Sequence, residues 1–140
     1  MDPIGLLVLV AALLLATVAG LLLRRRDRRI RRGAATGGWA LAGAAPGAED
    51  RVLLLQLSSP VCTPCRRTAE LIDDLRARRP GVVHAEIDVA QRPDVARTLG
   101  VLRTPTVVAF DRAGAELLRL SGLPRRADLD AALDPVLGPR

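Results

Sequence analysis

Two cysteines, Cys62 and Cys65, are the residues of this chain whose types and spacing favour chemistry. They are the only cysteines among 140 residues. An apolar run typical of a strand precedes them at residues 51–57, and residues 66–79 predict a helix. The unpaired backbone N–H groups and the positive dipole end of a helix N-terminus stabilise a thiolate, the reactive form of cysteine. The sequence therefore predicts a reactive Cys62, with Cys65 in the first helical turn, close enough to close a disulfide.

The same cysteine spacing occurs in other kinds of site. It forms half of a tetrahedral zinc site, but such a site needs two more ligands, and beyond the cysteines the chain offers one histidine, His84. A buried, chemically inert pair is a second alternative. Pro64 and the strand–helix pattern around the motif favour redox chemistry. We therefore expect neither a metal nor another cofactor.

Residues 4–23 form an uncharged, almost entirely apolar run. A helix of this length spans about 30 Å, the thickness of the hydrocarbon core of a bilayer. Because the run is apolar on every side, we predict a transmembrane helix in the lipid bilayer. Residues 24–50 follow as a basic juxtamembrane segment and a glycine- and alanine-rich linker, and residues 51–140 as one globular domain. Trp39 suits either the membrane interface or packing on the domain.

Arginine dominates the segment directly after the apolar run. Residues 24–32 hold seven arginines and one aspartate, whereas residues 49–140 hold 14 arginines and 13 acidic residues. The net charge of +6 is therefore concentrated beside the predicted span. This location argues against nucleic-acid binding, which needs a basic face on a folded element. By the positive-inside rule it predicts a single-pass cell-membrane protein with a cytoplasmic domain, and an extracytoplasmic domain is the alternative.

The globular segment alternates strand and helix signals. Its order, β-α-β-α-β-β-α, predicts a parallel strand pair joined by a helix and then a hairpin. The expected fold is α/β, with a mixed four-stranded sheet and helices on both faces. His84 shares a strand face with a glutamate, and we expect it at the surface. The predicted elements cover residues 52–57, 63–79, 82–89, 92–99, 106–110, 116–120 and 124–134.

Three motifs in this order resemble those of the thioredoxin superfamily. They are Cys62-Thr-Pro-Cys65 after the first strand, Ile87-Asp88 at the end of the second, and Gly100-Val-Leu-Arg-Thr-Pro-Thr106 before the hairpin. The resemblance covers roughly residues 51–137 and implies a minimal thioredoxin-like fold. It also implies that Cys62 is the exposed attacking sulfur and Cys65 the buried resolving sulfur. The substrate-binding residues that it implies are Thr63, Pro64, Thr104 and a cis Pro105.

The chain departs from thioredoxin proper at three positions around the motif. Val61 stands in place of a tryptophan, Thr63 in place of a glycine, and Gln56 in place of a buried acid. In thioredoxins that acid helps to move a proton to or from the resolving cysteine, which an amide cannot do. We therefore expect the rate and the redox potential of this cysteine pair to differ from those of thioredoxin.

The sequence as a whole predicts a membrane-tethered thiol–disulfide oxidoreductase. Its dithiol would reduce a disulfide, or accept sulfur from a persulfide, on a partner protein. The electrons would come from a donor such as a thioredoxin reductase or a small thiol. One alternative is an extracytoplasmic anchored protein of cytochrome c maturation or oxidative folding. Another is a non-catalytic binding module that retains the fold.

Overall fold

The computed structural model describes residues 3–26 and 36–138. Within these residues the chain forms an N-terminal apolar helix, a one-turn helix, and then alternating strands and helices. The predicted order β-α-β-α-β-β-α is confirmed from the first strand onward. The elements are α1 (Pro3–Arg26), α2 (Gly38–Leu41), β1 (Val52–Ser58), α3 (Thr63–Arg78), β2 (Val82–Asp88), α4 (Pro93–Thr98), β3 (Thr106–Asp111), β4 (Glu116–Ser121) and α5 (Arg126–Leu137).

The four strands form one mixed sheet in the order β2-β1-β3-β4. β1 pairs in parallel with β2 and antiparallel with β3, and β3 and β4 form an antiparallel hairpin. Because β1 has a strand on either side and helices on both faces, all seven of its residues are buried. The near-continuous apolar run in the sequence is typical of such a doubly covered strand.

Apolar side chains on the two faces of the sheet form two separate cores. On one face, Leu54 and Val107 pack with Ile72 of α3 and Leu133 of α5. On the other face, the core holds side chains from β1, β2 and β3 together with α2 and α4. The prediction of helices on both faces is therefore confirmed. This second core consists of Trp39, Leu53, Leu55, Leu57, Ile87, Val95, Leu99, Val108 and Phe110.

The helix α1 exposes its apolar side chains. Its stretch Pro3–Leu22 is long and apolar enough to cross a bilayer and is not buried against any described part of the chain. A signal sequence near an N-terminus shares these properties, so the stretch fits either a membrane span or a signal sequence. The predicted basic segment falls largely on residues 27–35, which lie outside the described residues.

Part of the segment expected to be a linker packs on the domain. Trp39 in α2 is 5% exposed, and its Nε1 donates to the carbonyl oxygen of Asp111 at 2.8 Å. The backbone N–H of Gly38 donates to the carbonyl oxygen of Gly114 at 3.1 Å. Only glycine fits at residue 38, since a Cβ there would lie 2.1 Å from the Phe110 ring. Of the two positions that the sequence left open for Trp39, the structure has packing on the domain, where the indole ring buries a large apolar surface.

The bounds of α5 differ from the prediction at both ends. The helix begins at Arg126 rather than at Pro124, and it continues through Pro135 to Leu137. Val136 and Leu137 pack against the core of Leu129 and Leu133, which accounts for the extra residues. Apolar contact therefore extends the helix past a residue that lacks a backbone donor.

Truncation of Trp39 tests whether α2 belongs to the folded domain. We expect Trp39→Ala to lower the free energy of unfolding by about 3 kcal/mol or more, as for other buried tryptophans. Trp39→Phe keeps an aromatic ring and loses the bond to Asp111, so it should cost only about 1 kcal/mol. Urea unfolding of the full chain in detergent micelles, followed by circular dichroism, measures both. Equal stability of wild type and Trp39→Ala would contradict the docking of α2.

Candidate active site

Cys62 and Cys65 lie at the N-terminus of α3 and form a disulfide, with their Cα atoms 5.2 Å apart. Cys62 is the N-cap residue, and its Sγ accepts a hydrogen bond from the backbone N–H of Cys65 at 3.2 Å. Cys62 is partly exposed, whereas Cys65 is only 2% exposed. The first turn of α3 thus directs an N–H donor at the outer sulfur, which is the geometry that stabilises a thiolate.

Thr63 and Pro64 form the first turn of α3 between the two cysteines, and both are exposed. Proline suits this turn because its missing N–H would have had no partner within the helix. The carbonyl oxygen of Pro64 accepts from the buried Thr68 hydroxyl at 2.9 Å. The side chain before the motif, Val61, is 98% exposed. The motif therefore presents a small, uncharged surface around Cys62.

The loop before β3 lies beside the cysteine motif. The peptide bond between Thr104 and Pro105 is cis, as the resemblance implied. The Thr104 hydroxyl lies 3.1 Å from that of Ser59, which connects this loop to the one that carries Cys62. Pro105 is buried, Thr104 is half-buried, and Leu102 is 98% exposed. The structure thus brings the predicted substrate-binding residues of both loops to one end of the sheet.

A cleft of about 580 Å³ opens beside the disulfide. Both cysteines line it, together with Arg66 of α3 and two carboxylates of β2, Glu86 and Asp88. The sequence did not single out Glu86 as a site residue. The parallel register pairs it with Gln56 of β1, and the shared face of alternate residues was the available signal. The remaining lining residues are Ser58, Ser59, Pro60, Val61, Thr63 and Gln91.

Gln56 is fully buried beneath α3 and forms the centre of a polar network. Its Nε2 donates to the carbonyl oxygen of Cys65 at 2.8 Å and to the Ser58 hydroxyl at 2.9 Å. The same nitrogen lies 3.3 Å from Oε1 of Glu86. The Ser58 hydroxyl donates to that carboxylate oxygen at 2.5 Å. An amide at this position therefore satisfies the backbone of the inner cysteine and joins it to a carboxylate.

His84 completes this network. The sequence predicted it at the surface, and this prediction is wrong. Its side chain is only 8% exposed, because α3 covers this face of β2. Nε2 lies 3.1 Å from Oε1 of Gln56, and Nδ1 lies 3.7 Å from a carboxylate oxygen of Asp73. Burial lowers the pKa of His84 below 6.5, although the charges of Asp73 and Glu86 act in the opposite direction. The neutral imidazole can donate from Nε2 and so fix the orientation of the Gln56 amide.

Comparison with known proteins agrees with the geometry. A profile of the family described as "Thioredoxin-like domain" matches residues 42–137. The chain belongs to this family. The matched range begins within the segment that contains α2 and ends at the last residue of α5.

Curated relatives of this thioredoxin-like chain include thioredoxins of bacteria and plants. It is 31% identical over 88 residues to thioredoxin C-3 of Corynebacterium nephridii, covering 63% of this chain and 60% of that protein. It is 32% identical over 72 residues to thioredoxin H5 of Oryza sativa subsp. japonica, covering 51% and 53%. The chain therefore spans about half the length of the curated relatives it matches.

Solved thioredoxin structures share the fold. A mutant thioredoxin from Halobacterium salinarum NRC-1 aligns with a TM-score of 0.57 at 25% identity, over 63% of this chain and 76% of that one. The thioredoxin of Fasciola hepatica aligns with a TM-score of 0.56 at 27% identity, over 63% and 83%. The family assignment therefore rests on sequence and on fold together.

The lowered pKa of His84 predicts how stability changes with pH. The unfolded chain protonates this histidine near pH 6.5, whereas the folded chain resists protonation. Below that pH the unfolded state binds more protons, so the free energy of unfolding should fall as the pH is lowered. In His84→Gln this part of the pH dependence should disappear. His84 is the only histidine, so urea unfolding across this pH range isolates its effect, and equal slopes in the two proteins would contradict it.

Proposed function

We propose that this protein is a thiol–disulfide oxidoreductase tethered to the membrane through α1. Cys62 is the attacking sulfur, and Cys65 is the resolving sulfur. The unequal exposure of the two sulfurs at the start of α3 carries this proposal. A substrate can reach the partly exposed Cys62, whereas Cys65 is 2% exposed and can reach only Cys62.

The proposed reaction begins with the reduced pair. The Cys62 thiolate, stabilised by the Cys65 N–H and the helix dipole, attacks a substrate disulfide. The substrate–Cys62 disulfide forms as the substrate's own S–S bond breaks, and the first substrate sulfur leaves as a thiolate. Cys65 then attacks the Sγ of Cys62. The second substrate sulfur is released as a thiolate, and the Cys62–Cys65 disulfide forms. With a persulfide as substrate, Cys62 takes up the outer sulfur atom and Cys65 releases it as sulfide.

The substrate peptide would lie between the two loops at this end of the sheet. Thr63 and Pro64 border Cys62 on one side, and Thr104 and Pro105 form the other. Pro105 is buried and has no backbone N–H, so this loop would contact a substrate peptide chiefly around Thr104. Recognition of backbone rather than of charged side chains suits a reductant of many proteins. The electron donor would be a thioredoxin reductase or a small thiol.

Trapping of the mixed disulfide tests the roles of the two sulfurs. In cells, Cys65→Ser should accumulate covalent adducts with partner proteins, because the attack by Cys62 proceeds and the resolving thiol is absent. Cys62→Ser is the matched control and should form far fewer adducts, since its remaining thiol is buried. Non-reducing and reducing gels followed by mass spectrometry identify the adducts. Absence of adducts with Cys65→Ser, or equal adducts with both variants, would contradict the proposal.

The arginines that follow the apolar run predict that the domain lies on the cytoplasmic side. A reporter that is active only in the cytoplasm should be active when fused after residue 140. Replacing the arginines of residues 24–32 with glutamine should reduce that activity, because these charges set the orientation. A reporter that is active only outside the cytoplasm serves as the control. Activity of the second reporter alone would support the extracytoplasmic alternative instead.

A further inference from the structure

The buried position of Cys65 creates a requirement for a proton acceptor. In the mixed disulfide, Cys65 is a thiol that must lose its proton to attack Cys62. It is 2% exposed, and burial disfavours the thiolate. An acceptor close to this sulfur would allow the proton to leave as the new S–S bond forms. Gln56 lies directly beneath Cys65 but cannot accept a proton from it.

Glu86 is the acidic side chain that the polar network joins to the inner cysteine. Its Oε1 accepts from the Ser58 hydroxyl at 2.5 Å and lies 3.3 Å from Nε2 of Gln56. The same amide nitrogen donates to the carbonyl oxygen of Cys65 at 2.8 Å. Glu86 and Cys65 also line the same solvent-open cleft, so a water molecule there can connect them.

The other titratable groups near the cysteines are less suited to this role. Asp88 lines the cleft, but its Oδ1 accepts from the backbone N–H of Ala90 at 2.8 Å, which directs it along its own loop. His84 bonds to the far side of Gln56 and does not line the cleft. Arg66 lines the cleft but is a permanent cation and cannot accept a proton.

We propose that Glu86 accepts the proton of Cys65 when the mixed disulfide is resolved. The proton moves from Cys65 Sγ through cleft water to the carboxylate, while the electron pair of the S–H bond forms the bond to Cys62 Sγ. The bond between Cys62 and the substrate sulfur breaks, and that sulfur leaves with its electron pair as a thiolate. Glu86 then gives the proton to the departing thiolate or to solvent. This inference rests on the proposed dithiol function and assigns its second step.

The two steps can be separated with an aromatic disulfide whose thiolate product is coloured. The full chain is reduced in detergent micelles, freed of reductant and mixed rapidly with a stoichiometric amount of 5,5′-dithiobis(2-nitrobenzoate). The first release of coloured thiolate reports the attack by Cys62, and the second reports resolution by Cys65. Both rate constants are measured from acidic to alkaline pH.

Glu86→Gln keeps the size of the side chain and an oxygen that accepts from the Ser58 hydroxyl, and it removes the ability to take up the proton. We expect the second release to slow by about 100-fold near neutral pH, the lower end of what a positioned proton acceptor contributes. It should then rise in proportion to hydroxide concentration, whereas the first release keeps its pH profile. Glu86→Asp should recover most of the rate, since it restores a carboxylate. Asp88→Asn is the matched control, a second carboxylate on the same cleft, and should resolve at the wild-type rate.

Two outcomes would overturn the assignment. One is a wild-type pH profile for the second release in Glu86→Gln, and the other is an equal slowing in Asp88→Asn, which would indicate a general effect of charge. Glu86→Gln must show the circular dichroism and urea midpoint of the wild type. If it does not, Ser58→Ala is used in place of Glu86→Gln. It removes the hydroxyl that positions the Glu86 carboxylate, so it should slow only the second release. Failure of the proposed function would differ, since Cys65→Ser would then trap no partner proteins in cells, whatever the rate of the second release.

Discussion

The burial of β1 on both faces is the constraint on which the rest of this domain depends. Its seven residues lie between two strands and beneath helices on either face, and Gln56 is fully buried in the strand. A buried amide without partners would cost several kcal/mol. Four groups surround its amide. A backbone carbonyl from α3, a hydroxyl from its own strand and a glutamate from β2 lie around the nitrogen, and a histidine from β2 lies at the oxygen. These hydrogen bonds hold the start of α3 in a fixed position over β1 and β2.

Much of the fold follows from local patterns in the sequence. Strand and helix order, the hairpin and the cysteine pair at a helix N-terminus were all predictable, because periodicity and turn residues report them directly. The position of Trp39 was not, since a one-turn helix leaves no period and only tertiary contact with Phe110 reveals it. His84 and Glu86 were correctly assigned to one strand face. Alternation within a strand shows which residues share a face, but it does not predict which helix packs on that face. The sequence therefore did not predict that α3 covers His84.

The polar network also explains how the chain accommodates Gln56 where thioredoxin has a buried acid. Replacement of a buried acid by Gln56 removes a charge beneath the cysteines, and the neighbouring strand supplies one at the edge of the cleft instead. Glu86 is exposed at the rim of the cleft, so its carboxylate keeps contact with solvent water. Under the proposed mechanism, two residues on neighbouring strands share the work of one buried acid. Gln56 binds the backbone of the inner cysteine, and Glu86 accepts the proton.

The docking of α2 fixes the point at which the preceding chain leaves the domain. Asp111, which binds Trp39, pairs with Val52 at the beginning of β1, whereas Cys62 follows the other end of that strand. The six steps of about 3.3 Å between the first and last of the seven strand residues separate these ends by about 20 Å. In a chain held at a bilayer through α1, the tether therefore joins the pole of the domain opposite the disulfide. A domain held in this way would have its sulfurs far from the attachment point, and it would reach disulfides on the water-exposed parts of neighbouring or soluble proteins more readily than those among lipid headgroups.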